Sequence, residues 1–323
     1  MVAGGALFEE RQIYGHIRFS FYGFTDTRTR PDEDGAALAR LYDETRMARR
    51  FFLFEKLTLP SLLQQTDRDF KTVILSSAVM PDRFKSRLSA LVARLPGARV
   101  IFSDQTIGAK ALEPVMAEAA GYRGRSTSVH FRLDDDDAVS VNFISRLRQI
   151  SRALSPSTHI TFPTGIFLFP ADAPLPTGTS MIQQRFLTAI GLATVNGGHF
   201  GRNPFQMMHG NVWTRWPVVS DPSFPAHIRT QHFENDTLAR QDKIIGALQK
   251  ERSSRRADRH AAAVDRALAA GFPWLDRTTL DGLIAGCDAV KSLDDLPVVT
   301  PSKDDPATAS VPVPQAAPSS LPA

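Results

Sequence analysis

A chain of 323 residues, 42% hydrophobic and 22% charged, has the composition of a globular protein long enough for one large core or two modest ones. No run approaches the ~20 apolar residues of a membrane-spanning helix, the formal charge is +4 with its basic residues scattered, and Cys287 is the single cysteine. These features argue against a membrane span, a disulfide scaffold and nucleic-acid binding, and leave room for electrostatic attachment to anionic lipid. The opening residues lack the basic-then-apolar order of a secretory signal, so a cytoplasmic place, or a peripheral one on the inner membrane, is expected.

Residues 16–24, "HIRFSFYGF", alternate Ile17, Phe19 and Phe21 with Arg18, Ser20 and Tyr22, the period of a strand. A long helical region follows, interrupted near Pro60. Strands are expected at 70–77 and 98–104, separated by a helix over 81–95 whose Phe84, Leu88, Leu91, Val92 and Leu95 share one face. A further helix ends near Gly121, and residues 126–134 form the fourth strand. Strand and helix in alternation predict an α/β fold, a mostly parallel twisted sheet flanked by helices, with ligands gathered beyond the carboxyl ends of its strands. Three polar exits converge on that edge: Ser76-Ser77, Ser103-Asp104 and the acidic run that follows strand four.

That run, Asp134 to Asp137 in "VHFRLDDDDAVS", is the sharpest feature of the chain. Crowded carboxylates raise one another's pKa unless a cation offsets the repulsion. A solvated helix cap accounts for Asp137 and extends at most to Asp136, since a helix is expected soon after them, but not for Asp134 and Asp135 at a strand end. An EF-hand is excluded because its glycine and closing glutamate are missing. A hard divalent cation, Mg²⁺ or Mn²⁺, held by one or two carboxylates and by substrate phosphates, fits better. With strand geometry continuing, Asp134 and Asp136 share a face and Asp135 points elsewhere; a sharp turn at 134 would shift that allocation.

Downstream, a helix is expected over Val141 to Leu154, one or two strands over 158–170, then a Pro/Gly/Asn-rich middle from 171 to 235. Helices return at 235–249, 256–271 and near 278–291. One domain should span 1–295, as a 13–137 half and a 138–295 half, and the Pro/Ala/Ser-rich stretch 296–323 is expected to be a disordered tail.

The acidic run at a strand exit resembles the nucleotide-sugar enzymes of glycosyltransferase A fold, and "LTLPSLLQQTDRDFKTVILSS" is similar to a family-two stretch. More narrowly, "RFSFYG", "RLDDDDAV" and "HGNVWT" resemble the bacterial rhamnosyltransferase family over residues 13 to 290. The resemblance implies a nucleotide-diphosphate sugar donor bridged through the metal to Asp134 and Asp136, with His209 of the "HGN" motif as a further ligand. Arg18, Ser20, Asp104, Arg132 and Asp135 are the candidates for holding the donor's phosphates, ribose or base; Arg18 and Arg132 read equally as partners of the acidic run and Asp104 as a turn cap, while Arg46 reads as a solvated or structural charge. An inverting transfer needs a base to deprotonate the acceptor hydroxyl. Glu234 and Asp236 are the candidates, in a segment where Asn235 breaks the family's usual Glu-Asp pair. The expected activity is metal-dependent sugar transfer, rhamnose by family resemblance, to a saccharide or glycolipid acceptor in surface polysaccharide synthesis. Two rivals are a non-catalytic nucleotide- or carbohydrate-binding protein and a metal-dependent phosphohydrolase.

Overall fold

The computed structural model describes residues 11–24, 35–121, 124, 126–169, 178–183, 187–199, 202–230 and 257–299. Its first sheet is built from β1 (Gln12–Arg18), β2 (Phe70–Ser77), β3 (Ala98–Ser103) and β4 (Ser128–Asp134), all parallel, in the order β3-β2-β1-β4. Beyond β4 the sheet continues through β9 (Ala193–Asn196), β6 (His159–Thr161) and β10 (Val218–Ser220), with β9 antiparallel to both of its neighbours. The expected α/β architecture is thus present.

Helices cover both faces of this sheet. Ile13, Ile17, Val129, Phe131 and Leu133 pack against α2 (Glu44–Leu53), α4 (Asp82–Val92) and α7 (Phe143–Ser151) in the main core. On the opposite face Tyr14, Val73 and Leu75 meet α5 (Gly108–Ala111), α6 (Glu113–Ala120) and Phe205. The two faces follow from the period-two alternation of each strand, because neighbouring residues point to opposite sides.

Gly15 marks how closely the main core is filled. A Cβ there would stand 2.5 Å from Cζ of Phe131, a fully buried ring packed edge-on against Phe143. Gly15→Ala is therefore expected to cost about 1–3 kcal/mol through overpacking. A urea melt checks it, as a lower midpoint at unchanged slope.

Three differences from the expected elements have physical causes. Strand one stops at Arg18 rather than running to 24, because Ser20 takes φ 42 and turns the backbone out of the sheet. The long helical region is α1 (Ala36–Leu41), α2, a π-helical turn over Phe54–Thr58, and α3 (Leu59–Leu63). In that wide turn Leu59 N–H donates to the carbonyl of Phe54, which makes room for Pro60 where an α-turn would set its ring against a carbonyl. Finally, the helix after the aspartates begins only at Phe143, behind a short strand β5 (Ala138–Val139), so none of the acids caps it.

That short strand belongs to a second sheet, β5-β11-β7-β8, where β7 is Thr164–Phe169, β8 is Gly178–Gln183 and β11 is His227–Thr230. Ala138, Ile166, Leu168 and Ile228 of this sheet form a separate core with Leu57 and with α8 (Ala257–Gly271) and α9 (Arg277–Ala289), which supply Val264, Leu268 and Leu280. The single stretch 158–170 therefore feeds both sheets. Residues 134–137 are the link by which the chain leaves the first sheet for the second. Among the described residues no helix is long and apolar enough to cross a membrane.

Candidate functional site

The parallel register sets Arg18 beside Asp134 and His16 beside Arg132, on the face that also carries Tyr14 and His130. Side-by-side positions in adjacent strands bring side chains into contact, and Arg18 Nη2 lies 3.1 Å from Asp134 Oδ1. Arg132 Nη2 approaches the same oxygen at 3.9 Å. The buried Arg132 guanidinium also lies over the Phe205 ring, 4.7 Å from its centroid. Asp134 keeps 22% of its side chain exposed, the most of the three acids of the run that pair with arginine.

The strand geometry does not continue into the run. Residues 135 and 136 form a turn, with Asp137 N–H donating to Asp134 O at 3.3 Å. The alternation expected for Asp134 to Asp136 is lost, and Asp135 and Asp136 converge on one guanidinium. Arg50 of α2 places Nη2 2.5 Å from Asp135 Oδ1, Nε 3.3 Å from Asp135 Oδ2 and Nη1 2.5 Å from Asp136 Oδ2. Two threonines fasten the backbone of the turn: Thr58 Oγ1 donates to Asp135 O at 2.9 Å, and Thr230 Oγ1 to Asp136 O at 2.8 Å. Asp137 accepts the Thr230 N–H at 3.0 Å.

Burial sets the electrostatics. Asp135 is fully buried, which pushes its carboxyl up to about 6 against the pull of Arg50. Burial, then the neighbouring Asp136 and Asp134, hold Asp137 well above the usual carboxylate range. The positive charge that the crowded acids call for is thus supplied in the fold itself, by Arg18, Arg50 and Arg132. Crowding alone no longer demands a metal.

Whether a divalent cation fits is decided by the donor set. Among the described residues no three His, Cys, Asp or Glu side chains converge well enough to hold a metal unaided. Asp134 is partly open but Asp136 is buried against Arg50, so the run offers one exposed carboxylate, and a second only if Asp136 leaves Arg50, which suits a cation that takes its remaining ligands from phosphates and water. The residues fit a cation that arrives with a phosphorylated substrate.

The other candidates are spread around this centre. Ser20 is buried, and its hydroxyl accepts from Arg46 Nη1 at 3.1 Å while its carbonyl accepts from Tyr42 Oη at 3.1 Å. Arg46 is structural, as expected, since it also holds the Leu41 carbonyl at 2.6 Å. Asp104 stands exposed just past β3. His209 opens a 3₁₀ turn, His209–Thr214, four residues after Phe205, and is half-buried. Glu234 and Asp236 lie outside the described residues. Sequence reasoning missed Arg50 and Thr230. A signal for Arg50 existed: it occupies a place in the buried stripe Met47, Phe51, Phe54, where an apolar residue is the norm.

A deeper polar row runs back from the site along β1 and β4. His16 Nε2 and His130 Nδ1 are 2.8 Å apart, and His130 Nε2 is 2.7 Å from Ser128 Oγ. Desolvation holds His16 down at about 3 and His130 well below its ordinary value, so both are neutral. With His16 donating to His130 and His130 to Ser128, the atom of this row left without a partner among the described residues is an acceptor, His16 Nδ1.

The family model described as "Putative rhamnosyl transferase" matches residues 12–244. The chain belongs to this rhamnosyl transferase family. No curated protein matches it. Among solved structures, the UDP complex of S. aureus TarS 1-349 is 10% identical, with 76% of this chain and 73% of that chain covered at a TM-score of 0.35. The mannosyltransferase PcManGT of Pyrobaculum calidifontis, in complex with GDP-Man and Mn²⁺, is 13% identical over 89% of this chain and 78% of its own, at 0.41. Likenesses of that size are loose, and the family match carries the identification. It places the strand-end acids and arginines of Arg18, Arg132 and Asp134 inside the matched span of a sugar transferase.

Proposed function

We propose that this family member moves a sugar, rhamnose by its family, from a nucleoside-diphosphate donor to a saccharide or glycolipid acceptor in surface polysaccharide synthesis. The observation that carries the reading is the Arg18–Asp134–Arg132 cluster at the carboxyl ends of β1 and β4, where the chain crosses between its two sheets. Crevices at such strand ends are where open α/β sheets bind ligands.

Transfer breaks the anomeric carbon–phosphate bond and builds charge on the leaving diphosphate. In this reading the forked donors of Arg18 and Arg132 face that charge, and Asp134 orients both arginines. Mn²⁺ or Mg²⁺ held by Asp134 and Asp136, with His209 as the proposed further ligand, would neutralise the leaving group as a Lewis acid. Asp104 is assigned to the base or ribose, and Ser20, already fixed by Arg46 and Tyr42, shapes the backbone over which the donor lies. Asp135, turned onto Arg50, acts behind the site rather than on the ribose. Glu234 and Asp236 are proposed as the acceptor's base, and attachment to an anionic membrane surface would bring a glycolipid acceptor within reach.

The test is a panel of UDP-, dTDP- and GDP-sugars, assayed for binding and for donor hydrolysis with and without Mn²⁺. Saturable binding of at least one donor, and hydrolysis or transfer that rises with Mn²⁺, is the expected result. Failure to bind any donor would overturn the proposal.

A further inference from the structure

We infer that Arg50 is a positioning residue that sorts the four aspartates, holding Asp135 away from the ligand and presenting Asp134 to it. This rests on the donor site proposed above and adds a residue to it.

Four consecutive carboxylates at a strand exit have no intrinsic preference for which one faces the crevice, since a tight turn can rotate by one residue at small cost. Here three fixed contacts settle the rotation. Thr58 from the π-helical turn takes the Asp135 carbonyl, Thr230 from β11 takes the Asp136 carbonyl, and the Thr230 N–H takes the Asp137 carboxyl. Only side chains from two different cores can reach the turn from both sides, and Leu57 in the second core shows that the π-helical turn bridges them.

Those contacts fix backbone, and Arg50 fixes charge. Its fork takes both oxygens of Asp135 and one oxygen of Asp136, with side-chain exposures of 10%, 0% and 7% respectively. Buried carboxylates left without that guanidinium would either take up protons or swing toward solvent, and solvent lies on the Asp134 side. Either response disturbs the acid that faces the ligand. A lysine at position 50 keeps one positive charge but is a single point on a flexible stem, unable to answer two carboxylates with fixed geometry. The fork is therefore the property that sorts the acids, and charge alone does not replace it.

The test is Arg50→Lys, with Mn²⁺ uptake in the presence of UDP, GDP or dTDP read by calorimetry and the fold followed by thermal melting. The expected result is a folded protein whose Mn²⁺ affinity is about tenfold to a hundredfold weaker, the usual size when a group supporting a metal ligand is altered. Arg50 holds Asp135 and Asp136 together, and a merely structural role would lower the melting temperature while leaving the Mn²⁺ affinity of the folded protein at its wild-type value. Wild-type affinity in folded Arg50→Lys would overturn the inference and leave the donor site standing. Absence of Mn²⁺ uptake by the wild-type protein with all three nucleotides would overturn both. If Arg50→Lys does not fold, Asp135→Asn alone decides: it should weaken Mn²⁺ uptake although Asp135 is fully buried, and unchanged uptake would sink the idea.

Discussion

Asp134→Asn is expected to abolish most sugar transfer while leaving the protein folded. Asparagine keeps the shape of aspartate and leaves an oxygen beside Arg18, whose Nη2 lies 3.1 Å from Asp134 Oδ1, so the strand end has no reason to collapse. What it loses is the negative charge, and with it the electrostatic orientation of Arg18 and the near-buried Arg132. It also loses the one carboxylate of the arginine-paired run with substantial exposure. Removing a single preorganised electrostatic group from such a site typically lowers turnover by about 10²–10³. Turnover with the best donor, measured beside a melting curve, checks the expectation. Turnover within a factor of about three of wild type, in a folded variant, would show that the acidic run has no part in the chemistry.

The same residues show what could and could not be read from sequence. The exit of β4 was readable because period-two alternation, turn residues and helical stripes all agree there, and local agreement of that kind predicts topology. The convergence of Ser77, Ser103 and Asp134 on one edge then follows from parallel pairing; Ser77 Oγ accepts from Tyr22 N–H at 2.7 Å and Ser103 O from Ala78 N–H at 2.8 Å. The facing of the aspartates was not readable. It depends on whether the strand continues through 135 and 136, and the decision is made by Thr58, Thr230 and Arg50, which lie between 77 and 94 residues away along the chain. Alternation is a local property, and partners at that separation leave no trace in it.

The reading that acids in a row need a cation was sound as physics and incomplete as bookkeeping. Counting only the run and its neighbours finds Arg132. Alternation on strand one also points to Arg18, whereas Arg50 enters through helix packing against the main core, which a one-dimensional pattern does not encode. The long helical region was likewise read correctly as helical but not as widened by a π-turn. That turn makes room for Pro60 at the start of α3, and its last residue, Thr58, is the one that reaches Asp135.

His227 supplies the second large effect, this time on stability. It lies on β11, fully buried, with its ring over the bare face of Gly165 and 6.5 Å from the Phe167 centroid, and neither ring nitrogen has a hydrogen-bond partner among the described residues. Burial, followed by the nearby Arg229, holds it down at about 3, against an ordinary value of 6.5. A group with a depressed native pKa that is neutral when folded contributes its full stability above pH 6.5. That contribution is lost as the pH falls from 6.5 toward 3, because the unfolded chain takes the proton first. Between pH 7 and pH 5 the loss from this one histidine amounts to about 2 kcal/mol. His227→Leu removes the titration and two unpartnered polar atoms together, so its stability relative to wild type should rise by that amount over the interval, whatever repacking over Gly165 costs at pH 7. The raised carboxyls of Asp135 and Asp137 act in the opposite direction in both proteins and cancel in the difference. Urea melts at pH 7, 6 and 5 measure it. Parallel stability curves for the two proteins would mean that the imidazole finds a proton partner in solution and is not isolated in the second sheet.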